Sequence, residues 1–277
     1  MQSKNHEEIL FESIYSSFIN NLLSIYEQKG VDFILGKINK NRSKLKSICL
    51  LPYWFSSCFE NENNIDLQNE LFILGKISLQ SYISHTLYEY IRYGKIDKEY
   101  INLNISIANI LSQKSIKDLY ELTDYNKDKI NIINNLSIMT NGHYLDNKTI
   151  SDIHYHFKYL CDNSYKRTVY NSIIPLMIIW LLGNKIDSNN HIETFEFFKN
   201  YLISEQLSND DKNMCDDMLN NTYTPATFLM RAQYSSDYIH TMMRSRIDMH
   251  TRLAIDSVRN LAFFDHDRFM GLYMKEY

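Results

Sequence analysis

The sequence predicts an all-α fold, a single-domain helical bundle over residues 1–277, on three observations. Only 7 glycines and 3 prolines punctuate the chain, against average usage of about 7% and 5%, so turns are few and elements long. Apolar residues recur at three- and four-residue spacings through nearly every long segment, the period of a helix face. No alternating apolar–polar pattern of the kind a half-buried strand carries persists anywhere. With 44% hydrophobic and 22% charged residues, the chain is globular and long enough to enclose a large core.

The elements follow in order. One stripe, Ile9, Phe11, Ile14, Phe18, Leu22 and Ile25, precedes Gly30, and a second, Leu71, Leu74, Ile77, Ser81, Leu87 and Ile91, precedes Gly94; each glycine is an expected helix stop. Further helices are expected at 101–112, 127–140, 150–162, 164–183, 192–220, 227–243 and 245–264. Breaks fall at Asn141-Gly142, at 183–190 and at 220–225, where Asn, Gly, Ser and Pro cluster. The most apolar run, 173–182, contains Pro175 and is about half the roughly 20 residues a membrane span needs; it reads as a buried helix. No fixed-period repeat, low-complexity tract or linker divides the chain.

Several function classes are disfavoured. A net charge of -4 with no basic stripe gives no attraction to nucleic acid. Cys49, Cys58, Cys161 and Cys215 are widely spaced without a C-x-x-C, so they read as reduced thiols rather than a disulfide framework or zinc ribbon. The polar start, 1–8, followed by an amphipathic stretch, fits no leader peptide, and a cytoplasmic protein is expected. The 21 Tyr and 14 Phe, with abundant Asn, Lys and Ile, are what an A/T-rich genome produces, so they argue little for an aromatic pocket.

The densest group of ligand-type side chains runs from Glu205 to Asp217. At about 100° per residue, with Asn209 as zero, Asn213 falls near 40°, Asp217 near 80°, Asp216 near -20° and Asp210 near 100°, an arc of oxygen donors on one face. Carboxylates crowded on one helix face repel one another unless a cation compensates. Hard oxygen donors suit Mg²⁺, which keeps several waters and is held by one or two carboxylates plus phosphate oxygens. The alternative is a solvated acidic face.

Asn209, Asn213 and Asp217 resemble the Asn/Asp, Ser/Thr, Glu/Asp metal triad of class I terpene synthases. The string Glu205-Gln206-Leu207-Ser208-Asn209-Asp210, then Asp216-Asp217 and the turn Tyr223-Thr224-Pro225, is similar to the second metal-binding helix of the wider isoprenoid-synthase and trans-prenyltransferase superfamily. The resemblance implies a terpenoid-synthase bundle that ionises an allylic prenyl diphosphate with Mg²⁺. Asn209, Asn213, Asp217 and Asp210 would hold metal, and Arg167, upstream beside Lys166, would sense diphosphate.

The first Asp-rich motif of that superfamily is degenerate here. The corresponding stretch is 78–94, where Glu89 is the one carboxylate, His85, Glu89 and Tyr93 share a face, and Arg92 brings a positive charge. Asp97 is a spare ligand. Losing anionic ligands leaves metal charge uncompensated, so either fewer metals bind and Arg92 contacts diphosphate directly, or no ionisation occurs. Tyr82, Tyr88 and Tyr90 are candidate cavity walls, and Arg268 is a candidate diphosphate contact from the C-terminal wall. The resemblance implies a terpene synthase, a prenyltransferase that elongates chains or prenylates peptides, or a non-catalytic partner of an active prenyl diphosphate synthase, as a homodimer or heteromer.

Two other clusters carry less. Asp152 and His156 lie one helical turn apart, but His154 and His156 point apart, which makes a poor zinc site. Asp265-His266-Asp267-Arg268 reads as a cap or flank. No nucleophile elbow, zincin, P-loop or dinucleotide-binding pattern occurs.

Overall fold

The computed structural model describes residues 2–39, 42–59, 68–92, 94–122, 152–167 and 188–273. Those residues are all-α. Their helices are α1 Gln2–Leu23, α2 Gln28–Ile38, α3 Arg42–Ser57, α4 Gln68–Arg92, α5 Ile101–Leu122, α6 Ile153–Asp162, α7 Ser188–Lys212, α8 Met214–Leu219, α9 Pro225–Arg231, α10 Ser236–Arg259 and α11 His266–Tyr273. Short 3₁₀ turns occupy Lys98–Tyr100 and Ser164–Arg167. The expected helix at 127–140 and most of those at 164–183, including 173–182, lie outside the described residues.

The chain divides into two compact units, 1–131 with 177–182 and 263–277, and 132–176 with 183–262. In the first, α1, α3, α4 and α5 enclose a core of Phe11, Ile14, Phe18, Leu22, Leu50, Trp54, Leu79, Ile83, Leu87 and Ile107. The middle of the first stripe is therefore buried, while its ends, Ile9 and Ile25, are exposed. Helices α1, α3 and α4 meet at Gly75, where a Cβ would lie 2.7 Å from the Cys49 carbonyl oxygen and 2.6 Å from Ile14 Cδ1. Ion pairs Arg42–Glu12 and Lys46–Glu8 tie α3 to α1 at the surface, where such pairs contribute little. The end of the chain returns to α3: the Asp265 amide donates to the Cys58 carbonyl at 2.7 Å, and Phe264 and Phe269 pack on Phe55.

In the second unit, α7 and α10 form the main pair, with α6 and α9 packed on α7. Phe157, Leu160, Phe197, Phe198, Ile203, Leu207, Leu229, Ile239, Met243 and Val258 are buried.

Helix ends follow backbone chemistry that the apolar period does not report. The first stripe's helix stops at Leu23, short of Gly30, because extended Glu27 precedes α2, and Gly30 sits inside α2. Gly94 does end α4: at φ +63 it lets the Lys95 amide reach the Tyr90 carbonyl at 2.8 Å and its own amide reach that of Ile91 at 3.1 Å, the Schellman pattern. Asn221 and Gln233, at φ 54 and 64, close α8 and α9 with the same pair of bonds. The expected boundary at 243–245 is corrected to 232–235: Gln233 stops α9, Ser235 caps α10 by accepting from the Tyr238 amide, and α10 then runs unbroken to Arg259. Helix α5 likewise continues ten residues beyond the expected 101–112, to Leu122. Thr224 and Thr227 form a reciprocal capping box with Pro225 in the first turn of α9, which fixes the chain leaving the acidic segment.

Candidate functional site

The acidic segment spans the end of α7, a one-residue break at Asn213, and α8. The Asn213 amide donates to the Asn209 carbonyl at 3.0 Å, and the Asp217 amide to that of Asn213 at 2.8 Å, so helical register carries across the break. Asn209, Asn213 and Asp217 therefore stay on successive turns. Burial then splits the arc of donors. Asn209, Asn213 and Asp216 are exposed, whereas Asp210 and Asp217 are 1% and 3% exposed. The reason is angular: Asp210 and Asp217 lie about 80–100° around the helix from Asn209, on the side that packs inward.

Hydrogen bonds follow the same division. Asn213 Nδ2 donates to Asn209 Oδ1 at 2.9 Å on the surface, and Gln206 Nε2 donates to Asp210 Oδ1 at 2.7 Å. Asp211, not among the expected ligands, pairs with His240 Nδ1 at 2.8 Å. Among the described residues, no group of three or more His, Cys, Asp and Glu side chains could hold a metal ion; Asn209 and Asn213 fall outside that count.

Between α6, α7 and α10 lies a polar network that sequence reading missed, because its members are far apart in the chain and sit within an apolar stripe. Asn200 Nδ2 donates to the Glu196 carbonyl at 2.8 Å, which turns its Oδ1 to His250 Nδ1, also at 2.8 Å. His250 Nε2 faces Asp162 Oδ1 at 3.4 Å, and both atoms are enclosed without a hydrogen bond among the described residues. Ser204 and Thr251 bond one turn along, at 2.8 Å. Burial holds the His250 imidazole below its ordinary pKa; Asp162 opposes this, and Arg246 and Lys199 add to it. Burial also pushes the adjoining Cys161 thiol far up, with Arg246 opposing and Asp162 and Asp210 adding to it. Cys161 is thus an inert core group.

The other expected residues are placed as follows. Lys166 and Arg167 lie in the 3₁₀ turn Ser164–Arg167 of the second unit, and their side chains are outside the described residues. Arg92 is the last residue of α4, its side chain likewise outside, and Tyr93 is outside entirely. Glu89, His85 and Tyr90 are half-buried on α4. Tyr88 is exposed and donates to Asn109 Oδ1 on α5, whereas Tyr82 packs on the first unit's core, where burial raises its phenol pKa. Asp97 is exposed. Arg268 Nη1 donates to the Ser57 carbonyl at 3.0 Å, covering the last turn of α3. Arg268 and the first-motif helix therefore belong to one unit, and Arg167 and the acidic segment to the other.

Asp152 caps α6 by accepting from the His154 and Tyr155 amides at 2.9 and 3.2 Å, and His156 turns inward to Tyr223 at 3.0 Å. Asp265 accepts from the Arg268 amide at 3.0 Å, the capping role expected of it. The cysteines Cys49, Cys58, Cys161 and Cys215 are free. No helix among the described residues is long and apolar enough to cross a membrane. No protein-family model, curated protein or solved structure matches the chain.

Proposed function

We propose that the chain is a class I isoprenoid-synthase-like protein that binds an allylic prenyl diphosphate with Mg²⁺ and ionises it as a terpene synthase. The supporting observation is the register of the acidic segment: Asn209, Asn213 and Asp217 keep turn spacing across the break at Asn213, which repeats the spacing of the triad they resemble. Mg²⁺ would neutralise the departing diphosphate.

The donor set fits that cation in kind, since every candidate is a hard oxygen. Asn209 and Asn213 stand together on an exposed face, where the Asn213 amide nitrogen donates to Asn209 Oδ1, a bond the cation would displace; Mg²⁺ needs only one or two protein donors beside water and phosphate oxygens. Asp217 and Asp210 lie behind them and supply negative charge from within. Arg167 and Lys166, in the same unit as the acidic segment, would meet diphosphate oxygens.

Calorimetric titration of diphosphate with and without Mg²⁺, on the parent and on Asn209→Ala/Asn213→Ala, tests the reading. Both positions are exposed, so the variant should stay folded. Mg²⁺-dependent binding that the variant loses, with diphosphate released from geranyl, farnesyl or geranylgeranyl diphosphate, is expected. A folded parent that binds no diphosphate in Mg²⁺ overturns the reading.

The stretch 78–94, with Glu89 as its one carboxylate, favours a second reading, a non-catalytic subunit. In that case Mg²⁺-dependent turnover would appear only when the chain is mixed with a prenyl diphosphate synthase that keeps its Asp-rich motif. A cytoplasmic location accords with either reading.

A further inference from the structure

The first unit contains a cavity of about 620 Å³ between α1, α3 and α4, within the roughly 300–1,000 Å³ typical of small-molecule sites. It shares no residue with the acidic segment. We propose that it binds an uncharged amphiphile, a hydrocarbon body carrying a neutral hydroxyl-type head, and that this site is independent of the diphosphate chemistry proposed above.

Three features define that class of ligand. One wall is apolar, built from Ile9, Leu10, Leu71 and Phe72. Ile9 belongs to the apolar stripe of α1 yet is 57% exposed, and a hydrocarbon in the cavity would cover it and return its burial energy.

The lining also carries Ser13, Tyr53, Gln68 and Asn69, whose side chains hydrogen-bond to none of the described residues. Polar groups lining a half-open, largely apolar space fix a ligand's orientation. Burial pushes the Tyr53 phenol pKa up, Glu7 adds to this and Arg268 opposes it; the phenol stays a protonated donor at neutral pH. Its ring is held by His6, 5.7 Å away.

Finally, no Lys, Arg, Asp or Glu among the described residues lines the space. A carboxylate or phosphate head would lose hydration without gaining an ion pair or charge-assisted bond. Arg268, itself outside the lining, donates from Nη1 to the Ser57 carbonyl.

The test is calorimetric titration of the full chain with 1-decanol, decanoate, decyl phosphate and decyltrimethylammonium, each below its micellar concentration. The expected result is one-to-one binding of decanol, with the three charged chains at least about tenfold weaker, the factor that 1.4 kcal/mol represents. Ser13→Phe, at an exposed position of α1, should lower decanol affinity at least about tenfold at an unchanged thermal midpoint. Asn69→Leu, also exposed, should lower it several-fold and keeps the test intact if the first variant does not fold. Charged chains that bind as tightly as decanol, no saturable binding, or affinity indifferent to both substitutions would each overturn the proposal. Asn209→Ala/Asn213→Ala should leave decanol binding unchanged, so this proposal and the diphosphate reading fail separately.

Discussion

Replacing glycine by alanine at positions 36 and 75 should change stability in opposite directions. Both glycines lie inside helices, where alanine is favoured by about 1 kcal/mol. At Gly36 an added Cβ meets nothing within 4 Å, so Gly36→Ala should stabilise by about that amount. At Gly75 the same atom would sit 2.7 Å from the Cys49 carbonyl oxygen, against 3.4 Å for ordinary contact. Ile14 Cδ1, at 2.6 Å, is the end of a flexible side chain and can swing aside. The carbonyl belongs to α3 and moves only with its helix. Overpacking of this kind costs about 1–3 kcal/mol, so after the propensity gain Gly75→Ala should lose up to about 2 kcal/mol. The two variants should therefore differ by about 1–3 kcal/mol in urea unfolding followed by circular dichroism. If Gly75→Ala proves as stable as Gly36→Ala, the close approach of α4 to α3 is wrong.

Three further outcomes are expected. Gln80 is fully buried on α4, with neither amide atom hydrogen-bonded among the described residues; Gln80→Met, of similar shape, should raise the free energy of urea unfolding by about 1–3 kcal/mol, the cost of one unsatisfied buried polar group, and a loss would mean that the amide has a partner. Asp152→Ala removes the acceptor for two amides of α6 and should cost about 0.5–2 kcal/mol by the same assay; Asp152→Asn should recover most of it. The third concerns pH. The unfolded chain protonates His250 near the ordinary imidazole value of about 6.5, whereas burial lowers that value in the fold. As pH falls below about 6.5 the unfolded chain takes up the proton first, so this contribution is present above that pH and is lost down through the folded value. Urea midpoints from pH 8 to 5 should therefore fall with acid, and His250→Gln should flatten the fall; an equal slope in the variant would refute the assignment.

Fold class was legible because the apolar period and the scarcity of Gly and Pro are properties of the whole chain, and local errors average out. Boundaries were legible only where the stopping residue has a known conformational preference. Gly94 was readable because glycine takes positive φ without strain, and the stretch around Asn221 because Asn clusters there. Gln233 takes the same backbone conformation without any such signature, and the break it makes was displaced by about ten residues. The acidic segment was legible as spacing, but its inside and outside were not: Asp210 and Asp217 are as polar as Asn209 in sequence, and only the packing of α7 decides which are enclosed. Asp162, Asn200 and His250 were invisible for a related reason, since contacts between three helices leave no local pattern.

The division of the acidic segment bears directly on what a cation site there could be. In the described arrangement the exposed donors are two neutral amides and the Asp216 carboxylate, and the enclosed donors are the carboxylates of Asp210 and Asp217. A neutral pair alone holds Mg²⁺ weakly, because hydration of the ion must be replaced by comparable charge. The buried Asp210 and Asp217 change that balance, since charge behind the amides is screened less than it would be in water. Affinity for Mg²⁺ should then depend on the diphosphate, whose oxygens complete the coordination, and be slight in its absence. A titration in which Mg²⁺ binds tightly to the free chain through Asn209 and Asn213 would contradict this, and would mean that Asp217 turns outward to join them.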